Sequence, residues 1–263
     1  MQTHRAEPNN REIVIFNNLE ALSQAATVRF VELANSSIAK NGRFSVALSG
    51  GSTPKVLYGL LANPPYYTQV DWSKVFFFFG DERCVAPDHP DSNYRMASEA
   101  LLAKLALPAN QVFRMQGENP DYEAAANAYA QELQKFFGLE AGHGPSPENF
   151  PRLDLVLLGM GPDGHTASLF PGTKALQERG RPVAPNYVEK LNAHRLTLTA
   201  PTINRAAQVL FLIGGSDKAA PLHQVLEGEY QPEVYPSQLI QPSNGKLVFF
   251  VDQTAATQLT KTY

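Results

Sequence analysis

Cysteine is almost absent from this chain of 263 residues, which contains Cys84 and no second thiol. An intramolecular disulfide is therefore excluded, and so is a zinc site built from several cysteines. Disulfides are rare where thiols are kept reduced, as in the cytoplasm. We therefore expect a cytoplasmic protein.

Long apolar runs and a strong net charge are also absent. No stretch approaches the roughly 20 apolar residues of a membrane-spanning helix, and residues 1–10 are polar, without the apolar core of a signal peptide. The formal net charge is only −3, so neither nucleic acid nor a membrane is expected as a partner. A small anionic substrate is still compatible with this charge, because it needs only a local cluster of cations and amides.

Short apolar runs rich in β-forming residues recur along the chain, and most are apolar at nearly every position. Such runs are typical of strands covered on both faces. Helical patterns lie between them, and this alternation predicts an α/β fold with a mainly parallel sheet. The strands are expected at 12–16, 44–48, 74–79, 153–158, 195–199, 209–213 and 246–251, and the helices at 18–40, 92–106, 121–137 and 217–227.

One stretch, 138–152, is rich in Gly and Pro and is a candidate linker between two domains. The strand pattern is of the same kind on both sides, which favours a single domain over residues 1–263 with a surface loop. Residues 228–245 form a second irregular connection. The strand 195–199 alternates apolar and polar residues, which indicates one more polar face.

After the second predicted strand, Gly50 and Gly51 let the backbone approach a ligand closely. The free amides of a following helix favour an anion, and the hydroxyls of Ser52 and Thr53 add donors. Pro54 is expected at the first helical position. A plain strand-to-helix turn, capped by a hydroxyl, explains the same residues, so both interpretations stay open.

Charged residues follow four consecutive phenylalanines after the third predicted strand. Among them, Asp81, Glu82 and Arg83 stand at the mouth of this strand. A guanidinium can hold a phosphate or carboxylate through two parallel hydrogen bonds, so Arg83 is a candidate ligand-binding residue. A solvated loop is the alternative. Cys84 has no histidine near it in sequence to activate its thiol, which favours a packed residue.

The segment 159–172 follows the strand 153–158 and admits three interpretations. Its glycines match G-x-G-x-x-G, but Pro and Gly interrupt the helix that a dinucleotide-binding turn should begin, so this match is weak. Asp163 and His165 supply two metal ligands at most, so no metal site is expected. The remaining interpretation is a general base, with Asp163 supporting the imidazole of His165. A capping aspartate beside a structural histidine is the alternative.

Lys218 lies in the first turn of the predicted helix 217–227, with Ser216 or Asp217 as its cap. A cation is unfavourable at a helix N-terminus, which indicates that an anionic ligand compensates for it. Arg195, at the start of the alternating strand, is a second candidate cation. An exposed basic residue explains each of them when taken alone.

Together these segments resemble the 6-phosphogluconolactonase family, which is related to the glucosamine-6-phosphate deaminases. The order and the spacing of several motifs carry the resemblance. The motifs are LSGGSTP at 48–54, GDERCVAPDHPDSNYRM at 80–96, LLGMGPDGHTASLFPG at 157–172, RLTLTAPTIN at 195–204 and GGSDKA at 214–219.

The resemblance implies a Rossmann-like three-layer α/β sandwich that binds a sugar phosphate and no nucleotide. It also implies hydrolysis of 6-phosphoglucono-1,5-lactone to 6-phosphogluconate in the oxidative pentose phosphate pathway, without a metal or an organic cofactor. The expected partner is the small sugar phosphate lactone alone. A monomer is favoured, and a homodimer stays open.

The deaminase branch is the rival interpretation. Its matching loop resembles DGHIAFNEP, with a Glu at the position that Phe170 occupies here. The pair Asp81-Glu82 is shared with the deaminases, whereas Arg83 after it resembles the lactonase form. A sugar-phosphate sensor without catalytic activity is a third possibility, although sensing does not need the Asp163 and His165 pair.

These considerations give a hypothesis for the site. His165 is the general base and Asp163 its support, while the amides of Gly50 and Gly51, or Arg83, stabilise the oxyanion. The predicted substrate-binding residues are Gly50, Gly51, Ser52, Thr53, Asp81, Arg83, Arg195 and Lys218, with the phosphate among Ser52, Thr53, Arg195 and Lys218.

Overall fold

The structure, a computed structural model, describes residues 11–139 and 149–263. The polar residues 1–10 and the part 140–148 of the predicted loop lie outside the described residues, and the single domain over 1–263 stays a prediction. Within the described ranges, no helix combines the length and the apolar character that crossing a bilayer requires.

A sheet of six parallel strands forms the centre of the fold. Its strands are β1 (Arg11–Phe16), β2 (Phe44–Leu48), β3 (Val75–Phe79), β5 (Leu155–Leu158), β8 (Gln208–Ile213) and β9 (Lys246–Asp252). They lie side by side in the order β1-β9-β8-β5-β2-β3. All six were predicted, because strands buried on both faces are apolar at nearly every position.

Helices cover both faces of this sheet. Successive side chains of a strand point to opposite faces, so in β5 Leu155 packs with one group of helices while Val156 packs with the other. The predicted three-layer α/β sandwich with a mainly parallel central sheet is confirmed. On the face of Leu155 lie α1 (Leu19–Asn41), α2 (Ser52–Leu61) and α3 (Asn93–Ala100), and on the opposite face α4 (Tyr122–Phe137), α5 (Ala200–Arg205) and α6 (Ala219–Leu226).

A second, three-stranded antiparallel sheet stands beside the carboxyl end of β3. It consists of β4 (Asp81–Arg83), β6 (Val183–Val188) and β7 (Ala193–Leu198), in the order β4-β7-β6. The alternating run predicted as a strand is β7, and its polar side chains belong to this smaller sheet. Neither β4 nor β6 is predicted, because β4 is three charged residues long and β6 contains Pro185.

The predicted helices 18–40 and 121–137 agree with α1 and α4 to within one residue. The side chain of Asp121 accepts a hydrogen bond from Ala124 N at 2.9 Å, so this residue is the N-cap of α4 as expected. The predicted helix 92–106 is shorter in the structure, where α3 is followed by the 3-10 turn Leu102–Lys104. The helix α5 is not predicted.

Candidate active site

A cavity of about 280 Å³ opens at the carboxyl edge of the central sheet, between β2 and β5. From β2 the chain continues to β3 on one side, whereas β5, β8 and β9 lie on the other side. Open parallel sheets bind their ligands at such a switch in strand order. Of the predicted site residues, those that line the cavity are Gly50, Gly51, Ser52, Thr53, Asp81, Arg83, His165 and Lys218.

Two predicted residues stand outside the wall of the cavity. Asp163 lies behind His165 and contacts its ring. Arg195, on β7, is directly opposite Arg83 on β4 in the antiparallel pair. Its guanidinium donates a hydrogen bond to His194 O at 3.0 Å. The structure therefore brings the predicted residues together at one place. Eight of them line the cavity, whereas Asp163 and Arg195 lie behind the lining residues.

The turn from β2 to α2 is shaped by its two glycines. Gly51, with a φ of 106°, is the N-cap of α2 and no side chain caps the helix. The interpretation of Ser52 or Thr53 as a hydroxyl cap is therefore wrong, and Pro54 is the third helical residue rather than the first. The amides of Ser52 and Thr53 have no acceptor within the helix, so they are available to an anion in the cavity.

Close packing explains Gly50, because a Cβ there would lie 2.0 Å from Asn93 Oδ1. Asn93 is buried at the start of α3 and also lines the cavity. Sequence reasoning missed this residue, although it belongs to the motif at 80–96. Its signal was its place in that motif, at the start of a predicted helix.

Two buried tyrosines fix the strand ends that lead into the site. The hydroxyl of Tyr58 in α2 accepts a hydrogen bond from Ser49 N at 2.9 Å and donates one to Ser49 O at 2.8 Å. Tyr129 in α4 does the same for Phe79, at 2.8 Å and 3.2 Å. Burial raises the pKa of both hydroxyls, so each keeps the proton that it donates.

Asp81 and Glu82 are buried, so the interpretation of their segment as a solvated loop is wrong. Asp81 accepts hydrogen bonds from Ser168 Oγ at 2.7 Å and from Asn93 Nδ2 at 3.2 Å. Glu82 accepts the amides of Asn93 and Tyr94 at 2.7 Å and 2.8 Å, at the N-terminus of α3. Burial raises the pKa of Glu82 although these amides oppose it. Asp81 thus faces the cavity, whereas Glu82 anchors α3.

Arg83 and Arg195 form a pair of neighbouring cations, of which only Arg83 lines the cavity. Arg83 donates a hydrogen bond to Asp91 O at 2.5 Å, and neither Arg83 nor Arg195 forms an ion pair with a carboxylate in the described part of the chain. Burial lowers the pKa of Arg195, and the neighbouring Arg83 acts in the same direction. Like charges directly opposite each other are unfavourable, so an anion between them would stabilise this arrangement.

Cys84 is partly buried beside these arginines. Burial raises the pKa of its thiol to about 11, although Arg195 opposes this shift. At neutral pH the thiol is therefore protonated and a poor nucleophile. This agrees with the packed residue expected from the sequence.

The turn after β5 is held by its own backbone and by the irregular connection 228–245. Gly161 N donates to His165 O at 2.9 Å, and Gly164 N donates to Gly161 O at 3.0 Å. Gly164 has a φ of 73°, which favours glycine. From the connection, Ser237 donates both its amide and its hydroxyl to Gly164 O, at 2.9 Å and 2.8 Å.

Within this turn, Asp163 Oδ1 lies 2.5 Å from His165 Nδ1. A carboxylate only accepts, so Nδ1 carries the proton and Nε2 is left as the basic nitrogen. The pair needs Gly161, since a Cβ there would lie 2.0 Å from His165 Nδ1. Asp163 Oδ1 also accepts a hydrogen bond from His165 N at 3.2 Å, as the alternative of a capping aspartate expects, while the imidazole lines the cavity.

The imidazole of His165 is in its neutral form near neutral pH. Burial is the main cause and lowers its pKa to about 4. The cations Lys218, Arg83 and Arg195 act in the same direction, while the carboxylate of Asp81 opposes them. A neutral imidazole with a free Nε2 can accept a proton, as a general base requires.

Phe170 covers one side of this imidazole. Their ring centroids are 4.0 Å apart and the planes are inclined by 19°. The ammonium of Lys190 lies 5.0 Å from the centroid of Phe170 and forms an ion pair with Asp163 Oδ2. Sequence reasoning missed Lys190, because the turn Glu189–Leu191 joins β7 to the strand that it also missed. The signal in the sequence was Asn192, since asparagine tolerates the left-handed conformation that ends such a turn. In the structure its φ is 45°.

Lys218 reaches the cavity from the carboxyl end of β8. The predicted helix 217–227 is divided into the 3-10 turn Ser216–Lys218 and α6, and neither Ser216 nor Asp217 caps it. The side chain of Lys218 is 19% exposed and contacts Asp217 Oδ2 at 2.7 Å. Gly215, which precedes this turn, donates its amide to Asp252 at the end of β9, at 3.1 Å.

In the described ranges, no group of three or more His, Cys, Asp or Glu side chains is placed to hold a metal ion. The cavity is lined by the imidazole of His165, by Arg83 and Lys218 and by the start of a helix, and Arg195 lies close to Arg83. These groups define the class of an α/β protein whose cavity is suited to a small anion next to an imidazole.

Comparison with known proteins gives this class a family. A model of the glucosamine-6-phosphate isomerases/6-phosphogluconolactonase family matches residues 17–249. The chain belongs to this family, as the motifs indicated.

Individual relatives agree over nearly the whole length. A 6-phosphogluconolactonase of Synechocystis sp. is 41% identical over 94% of this chain and 98% of its own, and one of Nostoc sp. is 42% identical over 86% and 89%. The solved structure of the 6-phosphogluconolactonase from Trypanosoma cruzi superimposes with a TM-score of 0.85 at 32% identity, covering 98% of this chain and all of that one.

Proposed function

We propose that this protein hydrolyses 6-phospho-D-glucono-1,5-lactone to 6-phospho-D-gluconate, as a step of the oxidative pentose phosphate pathway. The activity named for its relatives supports the proposal. The observation that carries it is the position of His165, whose Nδ1 is bound by Asp163 while the ring lines a cavity with cations around it.

The proposed reaction uses His165 as the general base. Nε2 takes a proton from a water molecule while the water oxygen bonds to the lactone carbonyl carbon. When the tetrahedral intermediate collapses, the bond between this carbon and the ring oxygen breaks, and the imidazolium returns its proton to the leaving oxygen. Asp163 keeps the reactive nitrogen pointed away from itself and stabilises the imidazolium.

The phosphate binds, in this proposal, where positive charge and free amides meet. Lys218 and the amides of Ser52 and Thr53 line the same cavity, and Arg195 strengthens the positive potential from behind. Arg83 and the turn at Gly50 and Gly51 are the proposed donors to the oxyanion. Asp81 is proposed to accept hydrogen bonds from sugar hydroxyls.

Phe170 favours a lactonase over a deaminase. The deaminases need an acid that assists the histidine in ring opening, and here an aromatic ring stacks on the imidazole instead. Lactone hydrolysis needs one base and one water molecule. The absence of any cofactor, the cytoplasmic location and the monomeric state stay predictions.

The test is to offer 6-phosphogluconolactone and glucosamine 6-phosphate separately, and to follow the release of acid and of ammonia. We expect acid release above the spontaneous background and no ammonia. His165→Asn should lower kcat about 10²–10⁴-fold, whereas His223→Asn on α6 should leave it unchanged. Ammonia release would move the protein to the deaminases, and neither product would favour a sensor.

A further inference from the structure

Lys190 is an unassigned residue next to the proposed base. It lies in the turn between β6 and β7, and its ammonium forms an ion pair with Asp163 Oδ2. The other oxygen of the same carboxylate holds His165 Nδ1 at 2.5 Å. One carboxylate therefore links a lysine from the small sheet to the imidazole in the cavity.

Within the described residues, the ammonium of Lys190 is the partner of Asp163 Oδ2. The oxygen is buried and receives no ordinary hydrogen bond there. Without Lys190, a buried carboxylate oxygen would lose its compensating charge, which is unfavourable. Asp163 would then be free to turn away from His165, or would leave its full negative charge beside the imidazole.

Lys190 does not line the cavity, and half of its side chain is exposed. A role in holding the substrate is therefore not what its position indicates. Its remaining contact is with the ring of Phe170, at 5.0 Å from the centroid, and that ring stacks on the same imidazole. Both contacts of Lys190 thus lead to His165.

We propose that Lys190 is a positioning residue, which holds Asp163 against His165 and offsets the carboxylate charge so that the imidazole stays neutral and basic. This inference rests on the proposed function for its kinetic consequence, but the charge relation itself does not depend on turnover.

The groups that face His165 set the direction of the effect. Three cations favour the neutral ring, namely Lys218 in the turn after β8, Arg83 on β4 and Arg195 on β7. The carboxylate of Asp81 on β4 favours the charged ring. Asp163 also favours the charged ring, to the extent that its own charge is uncompensated. Removing the charge of Lys190 should therefore raise the pKa of His165.

The test is a nuclear magnetic resonance titration of the His165 ring, compared between the unchanged protein, Lys190→Met and Lys190→Arg. The chain has six histidines, and the resonance of His165 is identified by its loss in His165→Asn. Lys74→Met is the matched control, because Lys74 also pairs with an aspartate, Asp71, and is 49% exposed at the opposite end of the sheet.

In Lys190→Met, which keeps an alkyl chain over Phe170, we expect the pKa of His165 to rise by about one unit or more. Lys190→Arg and Lys74→Met should leave the pKa of His165 within a few tenths of a unit. The acid limb of kcat/KM for the lactone should move by the same amount, with KM unchanged. Lys190→Gln serves as a second neutral variant if the Met variant unfolds.

An unchanged pKa of His165 in the folded neutral variants would overturn the inference, even if kcat fell, because a purely structural role would lower kcat without moving the titration. A protein that shows the shift but does not hydrolyse the lactone would support the charge relation while the proposed function fails. The two failures are therefore distinguishable.

Discussion

The ring of Phe170 stacks on the imidazole of His165, with centroids 4.0 Å apart and planes inclined by 19°. Phe170 is 5% exposed, so this contact removes one face of the imidazole from water. Desolvation disfavours the charged form of a histidine. The contact therefore helps to keep the proposed base neutral.

Replacing this ring by a carboxylate should reverse the effect. In Phe170→Glu, a negative charge next to His165 should raise its pKa by about one to three units. We expect kcat/KM at pH 5 to be about twofold to 100-fold lower than its value at pH 8. Phe170→Leu keeps an apolar side chain and should retain the original pH dependence, as measured by lactone hydrolysis across this range. A Glu variant with an unshifted profile would contradict this account.

The pH dependence of the unchanged protein follows from the same group. Since burial lowers the pKa of His165 to about 4, the neutral ring dominates above that pH and is lost below it. After subtraction of the spontaneous reaction, kcat/KM should rise through about pH 4 and be level by pH 6. A limb near pH 6.5, the ordinary value for histidine, would show that the basic group is not this buried imidazole.

Gly161 should tolerate no side chain. In Gly161→Ala, the new Cβ would lie 2.0 Å from His165 Nδ1 and 2.9 Å from Asp163 Oδ1, so the imidazole must move. We expect kcat to fall about 100-fold or more in a protein that still folds, because the φ of Gly161 is not in the left-handed region. Gly59→Ala in α2 meets nothing within 4 Å, and should leave kcat unchanged while it stabilises the helix by about 0.5–1 kcal/mol.

Lys218 should contribute to binding rather than to the chemical step. In Lys218→Ala, the loss of a charge-assisted hydrogen bond of about 1.5–3 kcal/mol should raise KM about tenfold to 100-fold with a smaller change in kcat. Lys246→Ala, at the opposite end of the sheet, is the control. Steady-state kinetics with the lactone measure both constants, and a fall in kcat alone would assign Lys218 to the transition state instead.

Glu227 predicts a pH dependence of stability that is independent of the site. Burial opposes its ionisation, but hydrogen bonds from Thr260, Lys261 and Tyr263 lower its pKa to about 2. A carboxyl with a lowered native pKa stabilises the fold above its unfolded pKa, and this contribution is lost as the pH falls towards 2.

Glu227→Gln should therefore lower the free energy of unfolding by about 1–2 kcal/mol at pH 7, and by less at pH 3. Urea unfolding at the two pH values measures the difference. Glu20→Gln, on the exposed face of α1, is the control and should change neither value by more than a few tenths of a kcal/mol. If the free energy of unfolding differs between the variant and the unchanged protein by the same amount at both pH values, the charge of Glu227 does not stabilise the packing of the last residues.

The central sheet was predictable because strands that are buried on both faces have apolar residues at nearly every position, which can be recognised in the sequence. The run 74–79 needs no partner to be recognised as a strand. The smaller sheet was not predictable in this way, because β4 is three charged residues whose strand geometry comes only from pairing with β7. Tertiary context overrides local preference in such short segments.

The residues of the candidate site show the same difference between local and long-range contacts. His165 and Lys218 line the cavity as predicted, because each lies in the turn that follows a buried strand and its position depends on nearby residues. Lys190 and Asn93 were missed because each meets the site through a contact far away in sequence, with Asp163 and with Gly50. The wrong caps at Ser52 and Ser216 have one cause, since a glycine takes the cap in both places.

Gly161 also explains why the spelling G-x-G-x-x-G misleads here. In a dinucleotide-binding turn, the second glycine leaves room for the pyrophosphate of the ligand. In this protein the space beside Gly161 is filled by the imidazole of the same chain, only four residues further on. The same motif is therefore compatible with two different sites, because the space beside the glycine holds either a ligand or a side chain of the protein. What occupies this space, and not the number of glycines, distinguishes a nucleotide site from a hydrolytic one.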